Sequence, residues 1–492
     1  MIYIKFRVVA KTYGLRHALM ALVPSDRGMG LKRRIKFKEM AMYRQKSAGI
    51  YYWGILVLVG LTLNVLFSPQ AAAVPSFSRQ TGQACAACHT SYPGLTPYGR
   101  QFKLSGYQIS TLKQVKSKAS DSSPGMSINR IPNLSVILQA GEAYLNKRVS
   151  GTQNPNADFP KELGFYYAGK VAPHLGTFLQ ATYDSGGSFG IDMSDMRYAR
   201  YAKLFSKSTL WGLDINNGPT FEDPWNSTPG YGWPYVENDA AVGPTIGPFI
   251  SSEAVQTNVI GAGAYQYWNN LLYAYVGVYQ AAPQGNTPAN WNNGATISGA
   301  APYYRIAFTP TPNLEIGSFG LFTDFHPHNV NSGKDRYTDI GLDTQYQLYP
   351  NQNNILTFHA SYIYEKHSNI SRTMGSGYTG SDSLTTNFYN LDGNWYYKHR
   401  YGLGLGFFYT QGDSSPYYQD VYGNSSDGFK TNTRPNTNGE IAQLDYFPYQ
   451  NVRLSMQYIA YNKFNGSSSN YNGQGRSASD NNTWLLNALF GF

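Results

Sequence analysis

A regular alternation of apolar and polar residues runs through this chain from about residue 131 to its end. In the segment 337–348, for example, Ile340 and Leu342 alternate with Asp339 and Asp343. A period of two places successive side chains on opposite faces of an extended strand, so the pattern predicts β-strands. One face of each predicted strand is apolar and often ends in Tyr, and the other is polar, small or charged.

Sixteen segments show this alternation. They lie near residues 131–143, 163–171, 175–182, 194–204, 209–216, 255–266, 271–280, 303–309, 314–322, 337–348, 355–365, 385–397, 402–411, 439–447, 452–463 and 481–492. In a soluble sandwich the apolar faces would form the core. An even number of alternating segments is instead typical of an outer-membrane barrel, whose apolar faces contact lipid around a wet lumen. The sequence therefore predicts an all-β fold, a 16-stranded antiparallel outer-membrane β-barrel over residues 130–492.

The predicted connections alternate between short turns and long loops, as they do in outer-membrane barrels. The short ones include 172–174, 268–270, 310–313 and 448–451, and the long ones include 217–254, 281–302, 366–384, 412–438 and 464–480. The proline-rich loop 217–254 can either fold into the lumen, as the corresponding loop of general porins does, or form a stiff surface loop. The terminal aromatic Phe492 resembles the assembly signal of bacterial outer-membrane barrels.

Composition excludes several classes of protein. Charged residues make up 14% of the chain, against roughly 25% in ordinary soluble domains. The formal charge of +10 comes from residues 1–73, which hold 12 Lys+Arg and 2 Asp+Glu; subtracting these from the totals of 39 and 29 leaves 27 of each. A mature chain without net charge does not favour a nucleic-acid-binding function.

Residues 1–73 have the layout of a secretory leader. Basic residues precede an apolar run from about Ala48 to Phe67, and a stretch of small residues up to Ala73 follows. This order is that of a signal peptide for export, with cleavage near Ala73. The apolar run is also long enough to span a membrane, so an uncleaved anchor is the alternative.

The two cysteines of the chain form the motif Cys85-Ala86-Ala87-Cys88-His89. This spacing suits covalent attachment of a c-type haem, in which two thiols add to the vinyl groups of one porphyrin and the adjacent imidazole binds the iron. Cys85 and Cys88 are the predicted attachment sites, and His89 is the predicted proximal ligand. A disulfide would not need the histidine, and a zinc site would need further Cys or His residues nearby.

The segment 74–129, which carries this motif, differs from the rest of the chain. It is short and has few apolar side chains, so it can supply only part of the apolar sleeve that a haem needs. A 16-stranded barrel has a lumen wide enough for an aqueous channel. We therefore expect the segment to lie in the lumen as a haem-bearing plug, with the barrel wall completing the haem pocket.

Other residues around the motif extend the pattern. They are Arg79-Gln80-Thr81-Gly82-Gln83-Ala84 before it and Thr90, Tyr92-Pro93, Leu95-Thr96-Pro97-Tyr98-Gly99-Arg100, Phe102-Lys103-Leu104 and Gly106-Tyr107 after it. This stretch resembles the fused outer-membrane cytochrome–porin family, whose known members are the iron oxidases of iron-oxidising bacteria. The resemblance is specific over 79–107 and extends to the barrel in pattern only.

The resemblance implies one covalently bound haem c, held by Cys85, Cys88 and His89. It also implies extracellular Fe(II) as the electron donor and a periplasmic cytochrome or copper protein as the acceptor. The low charge content suits an acidic environment, because carboxylates lose their charge in acid. With both termini on the periplasmic side, Fe(II) would meet the long loops, and the acceptor would dock near the short turns.

The sequence leaves the sixth ligand of the haem iron open. Oxidising Fe(II) in acid needs a high potential, which His/Met ligation favours over His/His ligation. Met126, in the tail of the plug, is the first candidate, and Met193 is another. His359 points inward by the alternation of its neighbours and would give His/His ligation. The loop residues Glu222 and Asp223 could meet Fe(II), although such acidic residues are more often simply solvated.

Two other classes of function remain open. One is a transport protein, a porin whose haem is structural or sensory. The other is a soluble cytochrome fused to an all-β adhesin, which the aromatic C-terminal strand opposes. The residues themselves indicate an outer-membrane electron conduit, whereas iron as the donor comes from the resemblance.

Overall fold

Antiparallel strands that pair in chain order form the wall of the structure, which is a computed structural model. In the part of the chain that the structure describes, sixteen long strands close into a barrel, because the last, Thr483–Gly491, pairs with the first, Leu134–Leu145. A closed barrel pairs every strand on both sides, which allows a sheet to span a membrane. All sixteen predicted segments are strands, so the predicted fold is confirmed. The chain is an outer-membrane β-barrel.

We number the strands in chain order. They are β1 Gln114–Lys116, β2 Ser127–Asn129, β3 Leu134–Leu145, β4 Asn156–Ala172, β5 Leu175–Asp184, β6 Phe189–Leu204, β7 Lys207–Asn216, β8 Val259–Trp268, β9 Leu272–Ala281, β10 Thr296–Ser298, β11 Ala301–Thr311, β12 Leu314–His326, β13 Asp335–Asn351, β14 Asn354–Ser368, β15 Ser383–Tyr397, β16 Tyr401–Gly412, β17 Thr437–Tyr449, β18 Val452–Lys463 and β19 Thr483–Gly491. Strands β1 and β2 form a separate hairpin. Strand β10 pairs with the end of β12, and β9 pairs directly with β11.

The helices are short and lie in the plug and the loops. They are α1 Ser76–Thr81, α2 Cys85–Cys88, α3 Pro97–Leu104, α4 Glu253–Gln256, α5 Ser371–Met374 and α6 Tyr417–Tyr422, with 3₁₀ turns at Pro219–Glu222, Phe249–Ser251 and Ala478–Asn481. Among the described residues, no helix is both long and apolar enough to cross a membrane.

The structure describes residues 76–492 apart from 91–92, 110, 228–240, 283–294, 329, 332, 376 and 424–431. They belong to the compact unit Ala72–Phe492. The predicted leader, 1–73, lies outside the described residues.

The two faces of each barrel strand have opposite environments. On β13, Leu342 is 56% exposed, whereas its inward-facing neighbours Asp343 and Gln345 are 4% and 1% exposed. On β19, Trp484 and Leu486 are likewise exposed, and Leu485 between them is buried. A soluble protein would bury the apolar face. The apolar face thus points outward, as expected of the strands of an outer-membrane barrel, and its contact with lipid stays a prediction.

The connections divide the barrel into two ends. At one end lie the chain's entry into β3 and the short turns 173–174, 205–206, 269–271, 312–313, 352–353, 398–400 and 450–451. The long loops lie at the other end, where 185–188 is the short exception. Short turns mark the periplasmic end of outer-membrane barrels. The N-terminal segment therefore enters from the periplasmic side.

The long loop after β7 folds into the lumen. Phe221, Trp225 and Ile250 are buried in it, and the backbone N–H of Ile250 donates to the inward-facing Asp339 at 2.7 Å. Of the two interpretations of this loop, folding into the lumen is thus confirmed for its described parts. The following strand begins at Val259 and not near 255, because residues 253–256 form a helical turn.

Candidate functional site

The two cysteines lie on one helical turn, α2, inside the plug. Both are free thiols and half-buried. The Sγ of Cys85 lies 4.0 Å from the Oγ of Ser78. Burial, together with the neighbouring Cys85, raises the pKa of the Cys88 thiol to about 11. The two thiols are not joined by a disulfide in the structure, and they are not part of the metal-ligand clusters found among the described residues.

His89 follows directly at the end of this turn. Its Nδ1 lies 3.3 Å from the carbonyl oxygen of Pro93. A carbonyl contact at one ring nitrogen fixes the orientation of an imidazole, as it does for metal-binding histidines. Burial lowers the pKa of His89 below its ordinary value, and the backbone of Pro93 and Gly94 opposes this only in part. The ring is therefore favoured in its neutral form, which is the form that binds metals.

The start of α3 braces the cysteine turn. Thr96 caps this helix and donates its backbone N–H to the carbonyl of Cys88 at 2.9 Å. Its hydroxyl donates to the carbonyl of Ala87 at 2.6 Å. The two turns lie so close that a Cβ added to Gly99 would come within 2.2 Å of the Cys88 carbonyl oxygen. Glycine at position 99 is therefore required for this packing.

The donor set fits a covalently bound c-type haem. Two free thiols share one helical turn, and a neutral imidazole with an oriented ring comes next in the chain. These are the residues that the sequence predicts for the haem. Their roles stay a prediction.

The plug helix α3 is seated against the inner wall of the barrel and the lumen loop. The guanidinium of Arg100 stacks 3.6 Å above the ring centre of Trp225 and donates to the carbonyls of Leu95 and Pro312. The hydroxyl of Tyr265, on β8, donates to the carbonyl of Leu104 at 2.6 Å. These contacts join the plug to the wall and to the loop, as the sequence predicts.

Lys103, Gln80 and Tyr107 add further contacts between the plug and its surroundings. The Nζ of Lys103 donates to the backbone carbonyl of Asp223 at 2.7 Å, and the hydroxyl of Tyr107 donates to Asp195 at 2.5 Å. The side-chain oxygen of Gln80 accepts the backbone N–H of Lys170, on β4, at 2.9 Å. The plug therefore touches the wall at several points around the lumen.

Two buried arginines form ion pairs with the carboxylates that lie near the plug. Arg197, on β6, is 2.6 Å from Asp195 and 2.7 Å from Glu222 of the lumen loop. Asp214 belongs to the same cluster of carboxylates. All four side chains are buried. The interpretation of Glu222 as a solvated surface residue is wrong, because the loop carries it into the lumen.

The second arginine, Arg305 on β11, holds three carboxylates. It lies 3.4 Å from Asp223, 2.9 Å from Glu315 and 2.7 Å from Asp343. Burial alone would raise the pKa of Asp223, but Arg305 and Lys103 outweigh it and hold this pKa below its ordinary value. Asp223 is buried as well. Neither acidic loop residue is a solvated group.

The basic residues of the plug respond to the same environment. Burial and the nearby Arg197 lower the pKa of Lys103 to about 8, against the attraction of the carboxylates. Burial lowers the pKa of Arg100 to about 10. Arg197 and Arg305 were missed by the sequence reasoning. Their signal is an arginine at an inward position of the alternation in a chain with few charges.

The three candidates for the sixth ligand lie in different places. Met126 is 44% exposed and directly precedes β2 of the hairpin. Met193 is half-buried on β6, two residues before Asp195. His359 faces the lumen from β14, as predicted, and its Nδ1 lies 2.8 Å from Asp392.

A short series of contacts relates His359 to the haem motif. His89 and Leu95 form an isolated antiparallel β-bridge. The carbonyl of Leu95 accepts a hydrogen bond from the side-chain Nε2 of Gln347, on β13, at 2.8 Å. Gln345, the next inward residue of β13, is the cross-strand neighbour of His359. His359 therefore lies on the barrel wall diagonally across from Gln347, the wall residue that binds Leu95.

No protein-family model and no curated protein matches this chain. Among solved structures, the chain is similar to the outer membrane channel DcaP of Acinetobacter baumannii, at 13% identity, with 73% of this chain and 96% of that chain covered and a TM-score of 0.42. It is also similar to an anion-selective porin from Comamonas acidovorans, at 13% identity, with 73% and 98% covered and a TM-score of 0.41. OmpT of Vibrio cholerae is similar at 9% identity, with 73% and 98% covered and a TM-score of 0.41.

Proposed function

We propose that this protein is an outer-membrane c-type cytochrome that oxidises extracellular Fe(II) and passes the electron to a periplasmic carrier. The observation that carries the proposal is the cysteine turn Cys85–Cys88, packed on α3 within the lumen of a closed barrel. Cys85 and Cys88 would hold the haem covalently, and His89 would bind its iron. The bound haem supplies one-electron chemistry. Fe(II) as the donor follows from the resemblance of residues 79–107.

The barrel and the plug have complementary tasks in this proposal. The lipid-facing strands hold the site in the membrane, and the inward-facing side chains supply the wall that the short plug lacks. Arg100 and Lys103 fix α3 to the lumen loop, which keeps the motif in one position. The motif itself is half-buried, and solvent exposure is one of the properties by which proteins tune redox centres.

We propose that His359 would supply a second side-chain ligand to the haem iron. Its ring is oriented by Asp392 at 2.8 Å, the arrangement in which a carboxylate fixes a metal-binding histidine. Met126 is exposed in the periplasmic hairpin. His/Met ligation would give the haem a higher reduction potential than His/His ligation. With His359 as a ligand, other features of the surroundings would therefore have to raise the potential.

A second candidate function is a haem-containing porin or transport channel, in which the haem is structural or sensory. The observation that favours it is the architecture itself, a 16-stranded barrel with a loop folded into its lumen. The described plug residues oppose it, because they occupy the lumen that a solute would use. The fold alone does not distinguish between the two functions, because one fold can host many functions.

The test is an absorbance spectrum of the detergent-extracted protein, recorded before and after Fe(II) is added at low pH. We expect Fe(II) to reduce the haem of the wild type, and His89→Ala to remove this reduction while the barrel still shows heat-dependent gel migration. His359→Ala, and not Met126→Ala, should alter the spectrum. A haem that dithionite reduces but Fe(II) does not, in a protein that lets sugars into liposomes, would support the channel instead.

A further inference from the structure

The hairpin β1–β2 contacts the barrel at its short-turn, periplasmic end. Asn129 donates its side-chain N–H to the carbonyl of Lys170 at 2.8 Å. Lys170 lies beyond the last pair of β3 and β4, Leu134 with Tyr167. The hairpin is therefore a separate sheet that contacts the end of β4, near the short-turn end of the barrel.

One face of the hairpin is polar and turned towards the protein. Gln114 and Asn129 are cross-strand partners, and their side chains are hydrogen-bonded at 3.2 Å. Ser127 donates to Gln114 at 3.2 Å. All three side chains are half-buried. This face attaches the hairpin to the rim.

The opposite face is apolar and exposed. Val115 and Ile128 are cross-strand partners, and they are 43% and 52% exposed. Met126 extends this strip. Lys113 and Arg130 flank it, joined by a backbone hydrogen bond of 3.0 Å from the Arg130 N–H to the Lys113 carbonyl. We call these five residues the outer face of the hairpin.

The hairpin also concentrates positive charge. Residues 112–131 contain Lys113, Lys116, Lys118 and Arg130 but one acidic residue, Asp121. The chain after residue 73 is balanced as a whole, with 27 basic and 27 acidic residues, so the part outside 112–131 has three more acidic than basic residues, 26 against 23. A partner that fits this surface carries acidic residues around an apolar centre, because complementary charge speeds encounter and fixes orientation.

The hairpin is connected directly to the plug. Thr111, at its base, donates its backbone N–H to the carbonyl of Gln80 at 2.8 Å, and α1 leads from there to the cysteine turn. A partner on the outer face would therefore meet the protein beside the segment that carries the haem motif. The strands β1 and β2 have three residues each, so the contact is small, as in weak electron-transfer encounters of less than about 1,200 Å².

We propose that the outer face of the hairpin is the docking surface for the periplasmic electron acceptor, a small soluble redox protein with an acidic rim around an apolar patch. This inference rests on the proposed function for the acceptor's role. It assigns Met126 to the docking surface and not to the haem iron.

The test measures association and not electron transfer, so that it can fail separately from the proposed function. The probes are two purified soluble c-type cytochromes, one of acidic and one of basic net charge, passed over the immobilised, detergent-solubilised holoprotein. The variant carries Lys113→Glu, within the outer face, and Lys116→Glu and Lys118→Glu, which reverse the neighbouring positive charge of the hairpin. The matched control carries Lys→Glu at Lys147, Lys334 and Lys366, which lie towards the long-loop end.

We expect the hairpin variant to lower the association rate of the acidic probe by about tenfold or more at low salt, since electrostatic steering changes such rates by about 10- to 1,000-fold. The difference should vanish at high salt. The basic probe should show the opposite change. Replacing Val115 and Ile128 with Ser should raise the dissociation rate without changing the salt dependence.

Three outcomes would overturn the docking surface. In the first, both triple variants slow the acidic probe equally. In the second, the hairpin variant binds the acidic probe as the wild type does. In the third, it loses only binding to vesicles of anionic phospholipid, which would make the hairpin a membrane contact. If Fe(II) fails to reduce the haem while the acidic probe still depends on the hairpin, the proposed function fails and the docking surface stands.

Discussion

Gly99→Ala tests whether the close packing of α3 on the cysteine turn holds the plug in place. The added Cβ would lie 2.2 Å from the carbonyl oxygen of Cys88, and 3.0 Å and 3.1 Å from its carbonyl carbon and Cα. All three atoms belong to the backbone, so no side-chain rotation can relieve the clash. The carbonyl also accepts the N–H of Thr96 at 2.9 Å, and a shift of the turn would weaken this hydrogen bond.

The expected cost follows from the size of the overlap. Forcing an extra methyl group into a packed site costs about 1–3 kcal/mol. Each 1.4 kcal/mol changes an equilibrium about tenfold. The population in which the cysteine turn separates from α3 should therefore rise by about 5- to 150-fold.

Native-state proteolysis measures this population, because cleavage follows the fraction of open molecules when opening is fast. We expect proteinase K to cut the segment 82–95 of Gly99→Ala faster than that of the wild type by this factor. Gly247→Ala is the matched control, since nothing lies within 4 Å of a Cβ at Gly247, and it should be cut as the wild type is. Heat-dependent gel migration should show intact barrels in all three proteins. Equal cleavage of Gly99→Ala and wild type would refute this account of the plug.

Two further predictions concern the lumen. Liposomes that carry the intact protein should not swell in small sugars, whereas those that carry a chain lacking 74–129 should, because the plug occupies the lumen; equal swelling would place the plug elsewhere. The second concerns Asp223, whose pKa in the folded protein lies below its ordinary value. Its ionised carboxylate therefore stabilises the fold at a pH above the ordinary pKa, and this stabilisation is lost as the pH falls through the pKa of the folded protein. Asp223→Asn should reduce the stability of the barrel by about 1.5–3 kcal/mol at about pH 6, the range for hydrogen bonds to charged groups. The thermal unfolding temperatures of the two proteins should converge as the pH falls below the ordinary pKa of an aspartate, and a constant difference would contradict the role of the ion pair with Arg305.

The sequence by itself determined the barrel, because strand periodicity is a local property. Each segment shows its two faces in consecutive residues, and each of the sixteen strands overlaps its predicted segment, although β4 begins seven residues and β6 five residues earlier than predicted. The sequence also indicated which face of each strand points outward. Polar residues such as Gln345 and Gln347 recur on one face, which favours an apolar outer face around a wet lumen. The cysteine turn is equally local, because its residues are adjacent in the chain.

Tertiary structure alone decided how the charges in the lumen are paired. Arg197 and Glu222 are 25 residues apart, and Arg305 and Asp223 are 82 apart, so no local pattern relates them. The loop after β7 brings these charges together only when the strands have closed around it. For this reason the sequence reasoning placed Glu222 and Asp223 at a solvated surface, whereas burial and pairing with arginines are properties of the closed barrel.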